Sequence, residues 1–231
     1  MIAVYPDAII VPVTTHYSDG SLWGRVWPKT VNLVVFHHTD GNWQSAINEW
    51  KTVRRASAHF IVRRDGLVVQ CVDLTDIAWH ASSWSHNLRS VGIEFEHYKL
   101  SDGKYTEWTA LQLQRGAELV HWLALQMPSV EYLRHRDIVA TICPDTLPVE
   151  KIIAMSETSN VFPQTGHAID PRFLALWSAH GLFVFGYPIT DSFIENGLTV
   201  QYFERARFEL HGDIVMLGLV GKELLSLRPI G

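Results

Sequence analysis

The sequence of 231 residues predicts an α/β fold, in which helices flank a mixed central β-sheet and a small α+β module follows at the C-terminus. Two observations support this fold class. Short β-branched runs alternate with segments of helical periodicity up to about residue 155. A polar run with Pro and Gly, at 156–168, then separates them from one more helix and several short strands. We therefore predict a first domain over residues 1–157 and a second module over 158–231.

In the first domain, strands are predicted where β-branched runs are bounded by turn residues: 31–36, 59–64, 67–72 and 90–95. Asp65 and Gly66 form the dipeptide that favours a tight hairpin turn between the second and third of these strands. Helices are predicted at 43–55, after the capping box of Thr109 and Gln112, and at 148–155. This alternation of strands and helices is typical of α/β domains.

In the second module, Pro171 to His180 reads as a helix that begins with proline in its first turn. The segment GLFVFGYP is predicted to form a turn, because glycines punctuate it. Strands are predicted to follow at 199–204, 206–211 and 214–220.

Composition excludes several classes of protein. The net charge of −5 and the pI near 6.2 argue against a nucleic-acid-binding surface, which would be basic. The two cysteines indicate no disulfide framework. No run of about 18 uninterrupted apolar residues occurs, so we expect no membrane-spanning segment. The N-terminus lacks early Lys or Arg and includes Asp7, so we expect no secretory signal peptide.

Three residues form a candidate metal site. His37 closes the buried strand, which holds its side chain rigidly, and His135 and Cys143 lie eight residues apart in a predicted loop. Imidazole and thiolate are preferred zinc ligands, and three protein ligands leave a fourth position for water, as hydrolytic sites require. By spacing alone, the alternative of two structural histidines and a buried cysteine stays open.

Four segments carry a family resemblance: VVFHHTDG, SAHFIVRRDGLVVQCVDLTDIAWHA, SVGIEFEHY and LRHRDIVATICPD. In order and approximate spacing they resemble the N-acetylmuramoyl-L-alanine amidases, a family that includes phage lysozymes of the amidase type and peptidoglycan recognition proteins. The resemblance covers roughly residues 30 to 155. It implies that His37, His135 and Cys143 bind Zn²⁺. It also implies hydrolysis of the amide between N-acetylmuramic acid and L-alanine in bacterial peptidoglycan.

The resemblance also implies catalytic residues. Glu94 stands where some members carry a catalytic glutamate, which could accept a proton from water and pass it to the leaving amine. The side chain of Glu96 is expected on the same face of the strand as that of Glu94, so Glu96 stays an alternative. Ala58 and Thr141 stand where phage members carry a tyrosine and a lysine. Thr141 could still donate its hydroxyl to the developing oxyanion.

Two residues of the AWHA segment are candidate substrate contacts. His80 resembles a position that lines the cleft in the family, and Trp79 could stack on sugar or stem peptide. Packing in the core is the alternative for both. We expect His38, which points to the opposite face of its strand, to be structural rather than a ligand.

The predicted function is therefore that of a zinc amidase and endolysin, made in the cytoplasm without a signal peptide and acting on the cell wall after release. A chain trimmed of its leader would look the same and would be secreted. The alternatives are a non-catalytic peptidoglycan-binding module and a thiol hydrolase that uses Cys143 with His135.

The second module resembles modules attached to other wall-associated proteins, so we predict that it binds the cell wall. Four of its aromatic residues could form a glycan-stacking platform or fill a small core: Trp177, Tyr187, Tyr202 and Phe203.

Overall fold

The structure is a computed structural model that describes Tyr5 and residues 8–127, 129–158, 161–162 and 165–227. The chain divides into two compact units, Met1–Thr158 and Ser159–Gly231. The elements of the first unit follow in chain order: β1 (Ala8–Ile10), β2 (Tyr17–Ser18), β3 (Leu33–His38), α1 (Trp43–Thr52), β4 (Phe60–Val62), β5 (Val68–Gln70), β6 (Ile77–Ala78), α2 (Trp84–Arg89), β7 (Ser90–Phe95), α3 (Ala110–Ala124), β8 (Glu131–Arg134), α4 (His135–Ile138) and α5 (Val149–Thr158).

A six-stranded mixed sheet forms the centre of the first unit, with strand order β1-β5-β4-β7-β3-β8. The hairpin partners β4 and β5 are antiparallel, and the other neighbours in this sheet are parallel. The sheet is flanked by helices, so the predicted α/β fold class is confirmed. The predicted hairpin turn is also present, with Gly66 at a φ of 82° that glycine adopts without strain.

The two faces of the sheet bury different helices. Val34 and Phe36 of β3 belong to the larger apolar cluster, which includes residues of α3 and α5. Ile61 of β4 belongs to a smaller cluster with Ile47 and Trp50 of α1. Side chains alternate between the faces of a strand, so the residues between those of the larger cluster point to the side of α1. The candidate site lies on this α1 side.

Capping residues explain where two helices begin. The Thr109 hydroxyl accepts a hydrogen bond from the Gln112 N–H at 3.0 Å, and α3 begins at Ala110, as the sequence predicted. The reciprocal half of the predicted capping box is absent, because the Gln112 side chain donates to the carbonyls of Val62 and Glu96 instead. The region of His135 differs from the prediction of a loop. His135 opens the short helix α4, because the Asp137 carboxylate accepts the Arg134 N–H at 2.7 Å and caps the first turn.

Over its described residues, the second unit contains a four-stranded antiparallel sheet, a small hairpin and two helices. Its elements follow in chain order: β9 (Val161–Phe162), β10 (His167–Ala168), α6 (Pro171–Phe185), β11 (Phe193–Glu195), β12 (Leu198–Phe203), β13 (Ala206–His211), β14 (Ile214–Leu217) and α7 (Val220–Leu227). The prediction of a turn over GLFVFGYP was wrong for its first half. Helical structure resumes after a break at Gly181, whose φ is 67°, and continues to Phe185.

Aromatic side chains fill the core of the second unit. Trp177, Tyr187 and Phe203 are buried, and Trp177 donates its indole N–H to the Gly186 carbonyl at 2.9 Å. Phe208 contacts Phe203 with ring centroids 4.3 Å apart. These three residues therefore fill the core of the second unit and do not form an exposed glycan-stacking platform.

Over the described residues, no helix combines the length and the apolar composition needed to cross a membrane.

Candidate active site

A cavity of about 580 Å³ opens at the carboxyl ends of β3 and β7. It is bordered by residues of both strands, of α1 and of the loop after α4. All of the residues that line it belong to the first unit, and they include each of the predicted site residues: His37, Trp79, His80, Glu94, His135, Thr141 and Cys143.

The three predicted metal ligands meet at one point of this cavity. His37, His135 and Cys143 each offer one ligand atom, and these atoms lie within 4.8 Å of one another. The Cys143 Sγ is 3.7 Å from His37 Nδ1, and the rings of His37 and His135 have centroids 4.6 Å apart. Two imidazoles and a thiol form a donor set typical of Zn²⁺.

One atom of this group supports the fit of a metal ion. The Nε2 of His135 is buried and has no hydrogen-bond partner among the described residues. A buried nitrogen without a partner is costly, and a bound cation would satisfy its lone pair. The residues present therefore fit a zinc ion.

Backbone hydrogen bonds hold the loop that carries Cys143. The Arg136 N–H donates to the Cys143 carbonyl at 2.9 Å, and the Arg136 guanidinium donates to the Asp145 carbonyl at 2.7 Å. These bonds fold the loop back onto the first turn of α4. The helix start and the loop together thus bring His135 and Cys143 to the same side of His37.

The electrostatic environment sets the charge states of the three groups. Burial, followed by the neighbouring His80 and His135, lowers the pKa of His37 well below its ordinary value, so its imidazole is neutral. Burial also lowers the pKa of His135. Burial, together with the nearby Glu94 carboxyl, raises the pKa of the Cys143 thiol to about 12. Neutral imidazoles are ready to ligate, whereas the thiol must lose its proton to a binding cation.

Glu94 lies beside His37 in the register of β7 against β3, so both side chains point to the same face of the sheet. Its Oε2 is buried and has no hydrogen-bond partner among the described residues. Burial raises the pKa of Glu94 to about 8, although the positive charge of Arg54 opposes this. The carboxyl group therefore borders the cavity with a pKa near neutrality, a property common among groups that exchange protons at functional sites.

Glu96, the alternative carboxylate, is engaged elsewhere. It accepts the N–H of Trp43 at 3.2 Å, at the start of α1, and the N–H of Arg64 at 3.0 Å. Both of its oxygens therefore bind backbone. Of the two candidates, only Glu94 borders the cavity.

Thr141 and Trp79 both border the cavity. The Thr141 hydroxyl oxygen accepts the N–H of Cys143 at 3.3 Å, and its hydrogen can still be donated. The indole N–H of Trp79 donates to the Ser18 hydroxyl at 3.0 Å, which fixes the orientation of the ring. Their predicted catalytic and substrate-binding roles stay predictions.

The structure brings further residues to the site that sequence reasoning missed. Trp84 borders the cavity, is 42% exposed, and packs edge-on against Trp23, with ring centroids 4.9 Å apart. Ser90 and Gly92 lie on the same face of β7 as Glu94 and approach His80. Their two-residue spacing before Glu94 is the signal that could have found them. His38 borders the cavity but is outside the ligand group, and its ring packs edge-on against that of His97.

The family is established by a sequence comparison. The family model for N-acetylmuramoyl-L-alanine amidase matches residues 27–146, which is more than half of the chain. The chain belongs to this family, whose enzymes hydrolyse an amide bond of peptidoglycan. No curated protein matched the chain.

Solved structures show the same fold. N-acetylmuramoyl-L-alanine amidase LysC from Clostridium intestinale URNW is 22% identical, with a TM-score of 0.50 over 67% of this chain and 100% of that one. A selenomethionine derivative of AmpD is 24% identical, with a TM-score of 0.51 over 66% of this chain and 96% of that one. Both likenesses cover a part of this chain that is close in size to the first unit.

Proposed function

We propose that the protein is a zinc-dependent N-acetylmuramoyl-L-alanine amidase, which cleaves the amide between the lactyl group of N-acetylmuramic acid and L-alanine. The observation that carries this proposal is the convergence of ligand atoms from His37, His135 and Cys143 within 4.8 Å in an open cavity. The family membership supports the substrate class.

In this proposal His37, His135 and Cys143 hold the zinc ion. When bound, zinc would supply a Lewis acid for the amide carbonyl and for the attacking water. Glu94 accepts the proton of that water and passes it to the nitrogen of the leaving L-alanine. The raised pKa of Glu94 supports this role, because a base that also returns its proton works best with a pKa near the working pH.

Neighbouring side chains orient the substrate. The Thr141 hydroxyl donates to the oxygen that gains negative charge as water attacks the carbonyl. The indole of Trp79 and the exposed face of Trp84 offer apolar surfaces on which sugar rings stack. His80 contributes only its carbon edge to this surface, because both of its ring nitrogens face protein partners.

The thiol-hydrolase alternative is less well supported. A nucleophilic cysteine needs a depressed pKa, which produces thiolate at neutral pH. The pKa of Cys143 is raised to about 12 instead. A zinc ligand tolerates this value, because the metal displaces the thiol proton.

The test is digestion of purified sacculi, with release of stem peptides that carry a new N-terminal L-alanine as the readout. We expect release that a chelator abolishes and added zinc restores. Cys143→Ala should lose bound zinc and activity together. Cys71→Ala is the matched control, since Cys71 is buried in the cluster of α1 and has no part in the ligand group. Binding to sacculi without any peptide release would instead identify a non-catalytic binding module.

The same proposal includes the role of an endolysin, made in the cytoplasm and acting on the cell wall after release. It also includes wall binding by the second module. Lysis of susceptible cells on addition of the purified protein from outside, after permeabilisation, is the result expected for an endolysin.

A further inference from the structure

A chain of hydrogen bonds leads from the ligand His37 into the protein. The Nε2 of His37 is 3.0 Å from the Nδ1 of His80, and the Nε2 of His80 is 3.0 Å from the hydroxyl oxygen of Ser90. All three residues are buried. The opposite nitrogen of His37, Nδ1, faces the Cys143 Sγ. His37 therefore has one nitrogen toward the ligand group and one toward His80.

The ring of His80 is seated against the backbone of β7. A Cβ atom at Gly92 would lie 2.5 Å from the Cγ of His80, a distance that no side chain at this position could keep without moving the ring. Alternation along the strand explains the arrangement, because Ser90, Gly92 and Glu94 share one face. Ser90 binds His80, Gly92 makes room for it, and Glu94 borders the cavity.

The backbone of His80 is held as firmly as its ring. The side-chain oxygen of Asn87, which is buried, accepts the N–H of His80 at 3.2 Å and that of Ala81 at 2.8 Å. The buried guanidinium of Arg25 donates to the carbonyls of Asn87 and Ser90, at 3.3 and 3.0 Å. The backbone segments that carry His80 and Ser90 are thus fixed to the same part of the fold.

We propose that His80 is a positioning residue that keeps the proton of His37 on Nε2, so that the lone pair of Nδ1 points at the metal. A neutral imidazole carries one proton, and ligation through Nδ1 requires that proton on Nε2. His80 accepts it with Nδ1 and donates its own Nε2–H to the Ser90 hydroxyl. This inference rests on the metal site of the proposed function and assigns a role to residues outside the ligand group.

The test compares three variants by their zinc dissociation constants, measured by competition with a chromogenic chelator. His80→Leu removes the acceptor, and we expect zinc binding to weaken about 10- to 100-fold, as for other residues that support a ligand. His80→Asn is the matched control, because its side-chain oxygen can take the place of Nδ1 and should restore binding to within a few-fold. Ser90→Ala should weaken binding in the same direction.

A second measurement reads the proton directly. Nitrogen-15 NMR of the metal-free protein should show His37 with its proton on Nε2 in the wild type, and a mixture of both tautomers in His80→Leu. A wild-type His37 protonated on Nδ1, or zinc affinity unchanged in a folded His80→Leu, overturns the inference. If His80→Leu does not fold, the affinity of Ser90→Ala decides, and an unchanged value counts against the proposal.

Failure of the proposed function gives a different result. A wild-type protein that binds no zinc, or binds zinc without releasing stem peptides, contradicts that function whatever the variants do. Peptide release and zinc binding by the wild type, with no effect of His80→Leu on affinity or tautomer, leave the function standing and refute only the role of His80.

Discussion

Replacement of Glu94 by glutamine tests whether this carboxyl group is kept for function at a cost in stability. Burial raises its pKa from the ordinary 4.5 to about 8. An acid with a higher pKa in the folded state holds its proton more tightly when folded, so its effect on folding stability depends on pH. Below about pH 4.5 the group is protonated in both the folded and the unfolded chain, so its burial does not lower the folding stability through ionisation. Above about pH 8 it is ionised in both, and the folding stability is lowered by the full amount.

The magnitude follows from the same two values. At about 1.4 kcal/mol per pKa unit, the difference between 4.5 and about 8 corresponds to about 5 kcal/mol for the fully ionised group. This is an upper limit, because Glu94 borders an open cavity where water can solvate the charge. Glutamine has nearly the same shape and does not ionise. Glu94→Gln should therefore come within about 1 kcal/mol of the wild type near pH 5 and exceed its stability by up to about 5 kcal/mol near pH 9.

The assay is urea unfolding at both pH values with a chelator present, so that metal binding does not contribute. Peptide release by the zinc-loaded variant should fall by about 10²- to 10⁴-fold, as expected for loss of a general base. Glu96→Gln is the control, because its carboxylate binds two backbone N–H groups and its loss should destabilise the fold. A stability difference between wild type and Glu94→Gln that is the same at pH 5 and pH 9 would refute the reasoning.

Three further predictions concern other parts of the molecule. Trp84→Ala should raise KM for sacculi a few-fold with little change in kcat, since the exposed ring can hold sugar but is not a member of the ligand group; an unaltered KM would exclude stacking there. Deletion of residues 160–231 should reduce pull-down on purified sacculi if the second module binds the wall, and equal retention contradicts that role. Trp177→Ala should destabilise the second unit by about 3–5 kcal/mol in thermal unfolding, because the ring is fully buried and its N–H is bonded; a loss below about 1 kcal/mol would be inconsistent with that core.

Short sequence motifs predicted those helix and strand ends that are fixed by residues close by in the chain. The hairpin of β4 and β5 follows from the turn chemistry of Asp65 and Gly66, and the start of α3 follows from the capping by Thr109. The start of α4 was missed although its cap is also local. The Asp137 carboxylate binds the N–H of Arg134, and arginine is not among the residue types that signal the start of a helix. The continuation of α6 beyond Gly181 was missed because a glycine signals a break but not whether the helix resumes.

By itself the sequence determined the family, the fold class and the set of residues that could bind a metal, because these depend on residue types in a fixed order. Only the tertiary structure decided how those residues act together. Register between β3 and β7 puts Glu94 beside His37, and the fold engages Glu96 with backbone instead. The fold also packs the ring of His80 against Gly92 of β7, within hydrogen-bond distance of His37. The pairings of His37 with Glu94 and with His80 join residues more than forty positions apart, so no pattern of neighbours in sequence encodes them.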